Sequence, residues 1–146
     1  MLAPHPDDGE FGCGGTLKKM REDGHQIWYA AFSPCHISLP EDLAPGTLYQ
    51  ELPKALAHLG IPPSHIITFQ YPVRDFPANR QLILEDLIKL RKQISPDLVL
   101  MPNSTDVHQD HHTIYEEGLR AFKNSRLLCI CTLHSSIGFT TLPHIV

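Results

Sequence analysis

Apolar residues along the chain fall into two patterns. Some form short runs rich in branched and aromatic side chains; elsewhere leucine and isoleucine return every three or four positions. The short runs predict strands over residues 1–3, 26–32, 66–69, 97–101 and 126–133. The helical spacing predicts helices over 16–23, 48–59, 80–94 and 113–123. Gly24 and Gly60 stand where helix-stopping glycines belong, and Asn79 is placed as an N-cap. Pro53 must either start its helix or kink it. Polar loops are expected at 4–10, 33–46, 70–78 and 102–111, and no internal repeat or low-complexity tract is found.

Strands separated by helices imply parallel pairing through right-handed crossovers. The expectation is a three-layer α/β fold of Rossmann-like type, with a mainly parallel sheet and helices on both faces. In such sheets the ligand site lies outside the carboxyl ends of the strands. A chain of 146 residues is one domain with a real core. Its first strand has about three residues where roughly five or six are usual, and 135–146 shows no periodicity. The single domain over 1–146 is therefore read as shortened at its first strand and in its C-terminal part.

Composition narrows the setting. There are 12 Lys and Arg against 16 Asp and Glu, with no basic run, so a nucleic-acid surface is not expected. The apolar runs fall short of the roughly 18 residues a membrane span needs, and no leader segment opens the chain. A soluble, cytoplasmic protein is expected. Cys13, Cys35, Cys129 and Cys131 show neither zinc-ribbon nor redox spacing and read as reduced, inert thiols. Histidine is the unusual residue, with ten copies.

Two loops carry the chemistry. His5-Pro6-Asp7-Asp8-Gly9-Glu10 follows the first strand, and the segment from Pro102 to His112 follows the strand over 97–101. Both emerge on one edge of the sheet. Zinc hydrolases hold their metal with three nitrogen or oxygen ligands and leave a position open for water. His5, Asp8 and His111 supply such a set. Asp7 then stands free to take a proton from the water. His108, three residues before His111, could stabilise an oxyanion and protonate a leaving amine, with Asp110 orienting His108 and raising its pKa. Arg74 and Asp75, in a loop reaching the same edge, are candidates for sugar hydroxyls or form a surface ion pair; Asn103 is grouped with them as a substrate contact.

His5-Pro6-Asp7-Asp8 with Gly12-Cys13-Gly14-Gly15-Thr16, together with His108-x-Asp110-His111, resembles the PIG-L/LmbE-like family of zinc N-deacetylases over residues 1 to about 123. The resemblance implies hydrolysis of an acetyl group from the nitrogen of an N-acetylglucosamine-type sugar or conjugate. It implies zinc, with another divalent metal such as Fe2+ as the substitute, on His5, Asp8 and His111. Asp7 would be the base and His108 the acid or oxyanion stabiliser. The chain departs from the family pattern at two places. Gly9 intervenes before Glu10, where the family has Glu directly after the Asp pair, and Tyr49 stands where the family often has Arg before the Glu matching Glu51.

Plainer readings stand beside these. His25, His36, His58, His65, His134 and His144 are read as structural, and His112 as pointing away from the site. Gly12, Gly14 and Gly15 are out of order for a dinucleotide fingerprint and are expected to let a helix start pack closely under the site. Two other functions are weighed: a remnant that binds metal or sugar without turnover, and a metallophosphoesterase, which would need more ligands than one triad provides. A homo-oligomer formed by pairing sheet edges is also open.

Overall fold

A computed structural model of the chain describes residues 1–130. The chain order is β1 (Leu2–Ala3), α1 (Asp8–Glu22), β2 (Tyr29–Ala31), α2 (Thr47–His58), β3 (Ile66–Thr68), α3 (Phe76–Ile94), β4 (Leu98–Pro102), α4 (Gln109–Ala121) and β5 (Arg126–Ile130), with single 3-10 turns at His36–Ser38 and Pro63–His65. All the strand pairs are parallel. Leu2 faces Ala30, Tyr29 faces Ile66, and Leu98 faces Arg126. β1 also lies against β4, so the spatial order reads β3-β2-β1-β4-β5.

Period-two alternation divides the core between the two faces. Leu2, Ala30, Phe32, Val99 and Met101 point to one face, where α3 and α4 cover them with Ile83, Leu87, Leu90 and Ile114. Ala3, Tyr29, Ala31 and Leu100 point to the other, under Leu17 of α1 and Leu52 and Leu56 of α2. This is the expected α/β architecture. The helices change face between β1 and β4: α1, which follows β1, covers one side, and α4, which follows β4, covers the other. Such a reversal opens a crevice at the carboxyl edge.

Gly24 and Gly60 stop their helices as expected, both with positive φ (89° and 80°). After α1, His25 N–H reaches Met20 O at 3.0 Å; after α2, Ile61 N–H reaches Leu56 O at 3.0 Å. Both are the six-to-one bond of a Schellman ending. Three helix starts differ from expectation. α1 begins at Asp8 rather than residue 16, continuing through a kink at Cys13 (φ −154°, ψ 25°). Its glycines lower helix propensity enough to hide it from a pattern search. α3 begins at Phe76, with Pro77 in its first turn, the position where proline's missing N–H does no harm. Asn79 is therefore not the N-cap; its amide bonds back to Asp75 O at 2.8 Å and Asp75 Oδ2 at 3.0 Å. α4 begins at Gln109 rather than 113, which brings His111 into its first turn. Pro53 lies inside α2.

Glu117 of α4 is fully buried, and its carboxylate accepts from Arg80 of α3, 2.8 Å from Nε, and from Arg120. A buried carboxylate needs such partners, and the pairing holds α4 on α3. Arg126 to Ile130 forms the expected last strand; residues 131–133 of that expectation, with Cys131, His134 and His144, lie outside the described residues.

Candidate metal centre

The turn after β1 is closed locally. His5 N–H donates to Asp8 Oδ2 at 2.7 Å, and Asp8 N–H returns to His5 O at 3.4 Å. This presents the His5 ring and the Asp8 carboxylate on the same side. The loop after β4 brings His108 to the N-cap of α4 and His111 into its first turn. The two segments meet in the crevice between β1 and β4.

Three atoms converge there. His5 Nδ1 and Asp8 Oδ2 are 3.5 Å apart, His111 Nε2 and Asp8 Oδ2 3.3 Å, and His111 Nε2 and His5 Nδ1 3.1 Å. A tetrahedral ion with ligands at about 2.0–2.1 Å sets its ligand atoms about 3.3–3.4 Å from one another. The donor set and its spacing therefore fit a divalent cation. His5, His108 and His111 also form a group whose nitrogens lie within 4.8 Å of one another, so His108 borders the same space. Its ring centroid is 4.8 Å from that of His5 and 5.0 Å from that of His111.

Carboxylates behind the rings set their tautomers. His5 Nε2–H donates to Asp110 Oδ2 at 3.1 Å, and His111 Nδ1–H donates to Asp106 Oδ2 at 2.7 Å. Each leaves the opposite nitrogen facing the centre, the arrangement that raises ligand basicity. Asp110 is fully buried. It also accepts from the backbone N–H groups of Arg74 at 2.7 Å and Phe76 at 3.3 Å. Burial pushes its carboxyl up, but the hydrogen bonds and charge of His5, with those backbone donors, outweigh it and hold the pKa below the usual value.

This corrects the expected partnership of Asp110 with His108. The carboxylate of Asp110 serves His5, while its backbone N–H donates to His108 Nδ1 at 3.2 Å. A donor aimed at Nδ1 favours the neutral ring with its proton on Nε2. The His108 pKa is accordingly lowered, by burial first and then by the neighbouring His5 and His111, rather than raised. For His111, burial pulls the pKa down, but the bonds to Asp106 and Asp8 and both charges outweigh it and lift it from 6.5 to about 9.

Asp7 is exposed at the N-cap position of α1 and makes no side-chain capping bond. Arg74 adopts a left-handed backbone (φ 71°), and its carbonyl accepts from the Gln109 side chain. Its exposed side chain and that of Asp75 flank the same edge, without an ion pair between them among the described residues. Asn103 is buried; its Oδ1 accepts from Thr105 N–H at 2.7 Å and Thr105 Oγ1–H at 2.6 Å, and its amide reaches Ile130 O at 3.4 Å, bonds that shape the loop. Gly14 and Gly15 are also corrected, since a Cβ on either would meet nothing within 4 Å; the close approach is at Gly9.

Other expectations hold in detail. His112 is exposed and pairs with Glu116 at 3.3 Å. His36 accepts from Gly46 N–H at 3.2 Å and closes the loop over 33–46, while His65 stacks on Trp28. Cys13, Cys35 and Cys129 are free thiols. Burial pushes Cys13 up to about 11 and Cys35 up to about 12, so both stay protonated. Asp106 was missed, though a carboxylate two residues before His108 in the same loop was legible as a support for one of the histidines. Tyr49 donates its hydroxyl to Ala31 O at 3.1 Å and also reaches Phe69 O, tying the ends of β2 and β3.

A cavity of about 150 Å³ lies at this edge among Ser33, His36, Ile37, Gln70, Tyr71 and Val73. A larger one, about 380 Å³, lies at the amino ends of the strands among Trp28, Ile94 and Asp97, and neither cavity is lined by His5, Asp8, His108 or His111.

A sequence profile described as PIG-L, GlcNAc-PI de-N-acetylase, matches residues 1–122. A diacetylchitobiose deacetylase of Thermococcus kodakarensis is 26% identical over 156 aligned residues, covering 94% of this chain and 57% of that protein. An uncharacterized deacetylase of Escherichia coli, YaiS, is 30% identical, covering 82% of this chain and 65% of that one. The chain thus spans little more than half the length of the first of these relatives. Among solved structures, N,N'-diacetylchitobiose deacetylase from Pyrococcus horikoshii is similar with a TM-score of 0.73 at 24% identity, over 82% of this chain and 47% of that one. The A40926 pseudoaglycone deacetylase Dbv21 is similar with a TM-score of 0.78 at 20% identity, over 97% and 67%. At those identities the likeness speaks to the fold.

Proposed function

The chain belongs to the PIG-L, GlcNAc-PI de-N-acetylase family, and from that premise we propose that it is a metal-dependent N-deacetylase acting on an N-acetylglucosamine-type sugar or conjugate. The observation that carries the reading is the convergence of His5 Nδ1, Asp8 Oδ2 and His111 Nε2 at 3.1–3.5 Å from one another. These three would hold the ion. Bound there, zinc, or another divalent ion such as Fe2+, supplies Lewis-acid chemistry: it acidifies water and polarises a carbonyl.

The chain's own groups do the rest. Asp7, exposed beside the ligands, takes the proton of the attacking water as its oxygen bonds to the amide carbon. His108, neutral with its proton on Nε2, donates to the carbonyl oxygen as negative charge gathers there. The carbon–nitrogen bond then breaks, and the proton held by Asp7 passes to the leaving nitrogen, giving acetate and a free amine. Asp110 and Asp106 act through His5 and His111 by fixing their rings. Arg74 and Asp75 are placed to meet sugar hydroxyls. The cytoplasm, where Cys13, Cys35 and Cys129 remain reduced, is the setting that suits the reading. Among the described residues no helix is long and apolar enough to cross a membrane.

The reaction is tested by amine release from a panel of N-acetylglucosaminides with stoichiometric zinc, with Asp7→Asn alongside. Release that disappears in the variant supports the proposal. A second reading is a domain that binds metal or sugar without turnover, and a folded, zinc-loaded chain releasing no amine from the panel would favour it.

A further inference from the structure

The pair Gly9 and Glu10, where the chain departs from the family pattern, meets a single side chain. Tyr29, at the start of β2, is fully buried on the face covered by α1 and α2. Its hydroxyl accepts from Gly9 N–H at 3.0 Å and lies 2.8 Å from Pro6 O and 2.7 Å from Glu10 Oε2, with its one proton shared between those two acceptors. Pro6 and Gly9 bracket Asp7 and Asp8. The phenol thus spans the turn that presents the carboxylate pair and ties it to the sheet.

Two features show that the fit is built. Backbone N–H groups in the first turn of a helix have no intrahelical acceptor, and Asp7 at the N-cap position supplies no side-chain acceptor either. Tyr29 satisfies the one at Gly9. A Cβ on Gly9 would stand 2.4 Å from Tyr29 Cε2 and 2.7 Å from its Oη, and the ring, enclosed in the core, has nowhere to go. Glycine at this position and glutamate at the next are what the phenol requires.

We infer that Tyr29 is a positioning residue of the metal centre: its hydroxyl, with Gly9 and Glu10, fixes the turn that carries His5, Asp7 and Asp8. The inference rests on the deacetylase reading for its catalytic consequence and on the geometry alone for its effect on the ligands. Catalytic constellations tolerate displacements of only about half an ångström, and a turn released from the sheet exceeds that.

The test is Tyr29→Phe, which keeps the ring and removes the hydroxyl, in the cobalt(II)-substituted chain. Tyr71→Phe, which loses a part-buried hydroxyl bond to Asp86 on the opposite face, controls for loss of a hydrogen-bonded tyrosine hydroxyl as such. Tyr29→Phe is expected to bind cobalt about tenfold more weakly, at the lower end of the loss usual for groups that support metal ligands. Its visible cobalt bands shift, and kcat falls while KM stays; Tyr71→Phe shows none of this. Cobalt bands, affinity and kcat unchanged in Tyr29→Phe would overturn the inference. If Tyr29→Phe does not fold, amide exchange in the unaltered protein decides. A Gly9 N–H protected by about 100-fold or more supports the bond to Tyr29, and one exchanging at the unprotected rate removes it. Unaltered chain that takes up no cobalt would instead fell the metal reading, and the inference with it.

Discussion

His111 concentrates the electrostatics of the centre. Its ring is 3% exposed, between the carboxylates of Asp106 and Asp8. In the metal-free chain its pKa of about 9 lies above the ordinary 6.5. Its contribution to folding is therefore complete below pH 6.5 and is lost as pH rises through about 9. At pH 7 a metal ion must displace that proton. Zinc binding measured by calorimetry in buffers of different ionisation enthalpy should release a proton from His111 near neutrality and none from it well above pH 9. Affinity should rise with pH across that window; a flat profile would contradict the assignment. Asp106→Asn removes the charge that holds His111 and should weaken zinc by about 10–100-fold, read by competition with a chromogenic chelator. Asp7→Asn should leave zinc bound at full stoichiometry while turnover disappears; metal loss would sink the assignment of Asp7 as base.

At the scale of elements, the first turns of α1 and α4 present the site. α1 starts at Asp8 because the turn behind it is closed by His5 and backed by Tyr29. α4 starts at Gln109, capped by the His108 ring. Periodicity missed both starts, because apolar spacing reports a buried face and these first turns are polar or glycine-rich. α4 also lies close on the sheet: a Cβ on Gly118 would stand 2.8 Å from Met101 Sδ and 3.7 Å from Leu2 Cδ1. Gly118→Val should push the helix outward and lose about 1–3 kcal/mol, as overpacked cores do, measured by denaturant midpoint. Because α4 carries His111, zinc affinity should fall in the same variant. Unchanged affinity with lowered stability would show that the N-terminal turn of α4 is held independently of its packing.

Across the whole molecule, the centre joins both halves of the sheet. His5 and Asp8 come from the β1 side, and His108, Asp110 and His111 from the β4 side, where β1 and β4 lie adjacent without a ladder between them. A cation bridging the two should tie them in a way that unfolding must undo. Zinc at 100 times its dissociation constant should then add about 2.7 kcal/mol of stability, visible as a rise in Tm reversed by chelator; no shift would argue against a ligand set drawn from both loops.

The alternation of branched runs and helical spacing determined the parallel α/β order, because burial on a two-faced sheet imposes both periods on the chain. The strand-end placement of His5, Asp8 and His111 was equally legible, because both loops leave parallel strands at the same edge. Which carboxylate supports which ring was decided only by tertiary structure. Asp110 is a near neighbour of His108 in sequence, yet its side chain crosses to His5, 105 residues away. Asp106 turns to His111, and Asn103 turns inward. A side chain two or three residues from a ligand in sequence can point to either side of a loop, and the local backbone selects the partner. The meeting of Tyr29 with Gly9 and Glu10 was hidden for the same reason: it is a contact across 19 to 20 residues, created by the packing of a helix start on a strand.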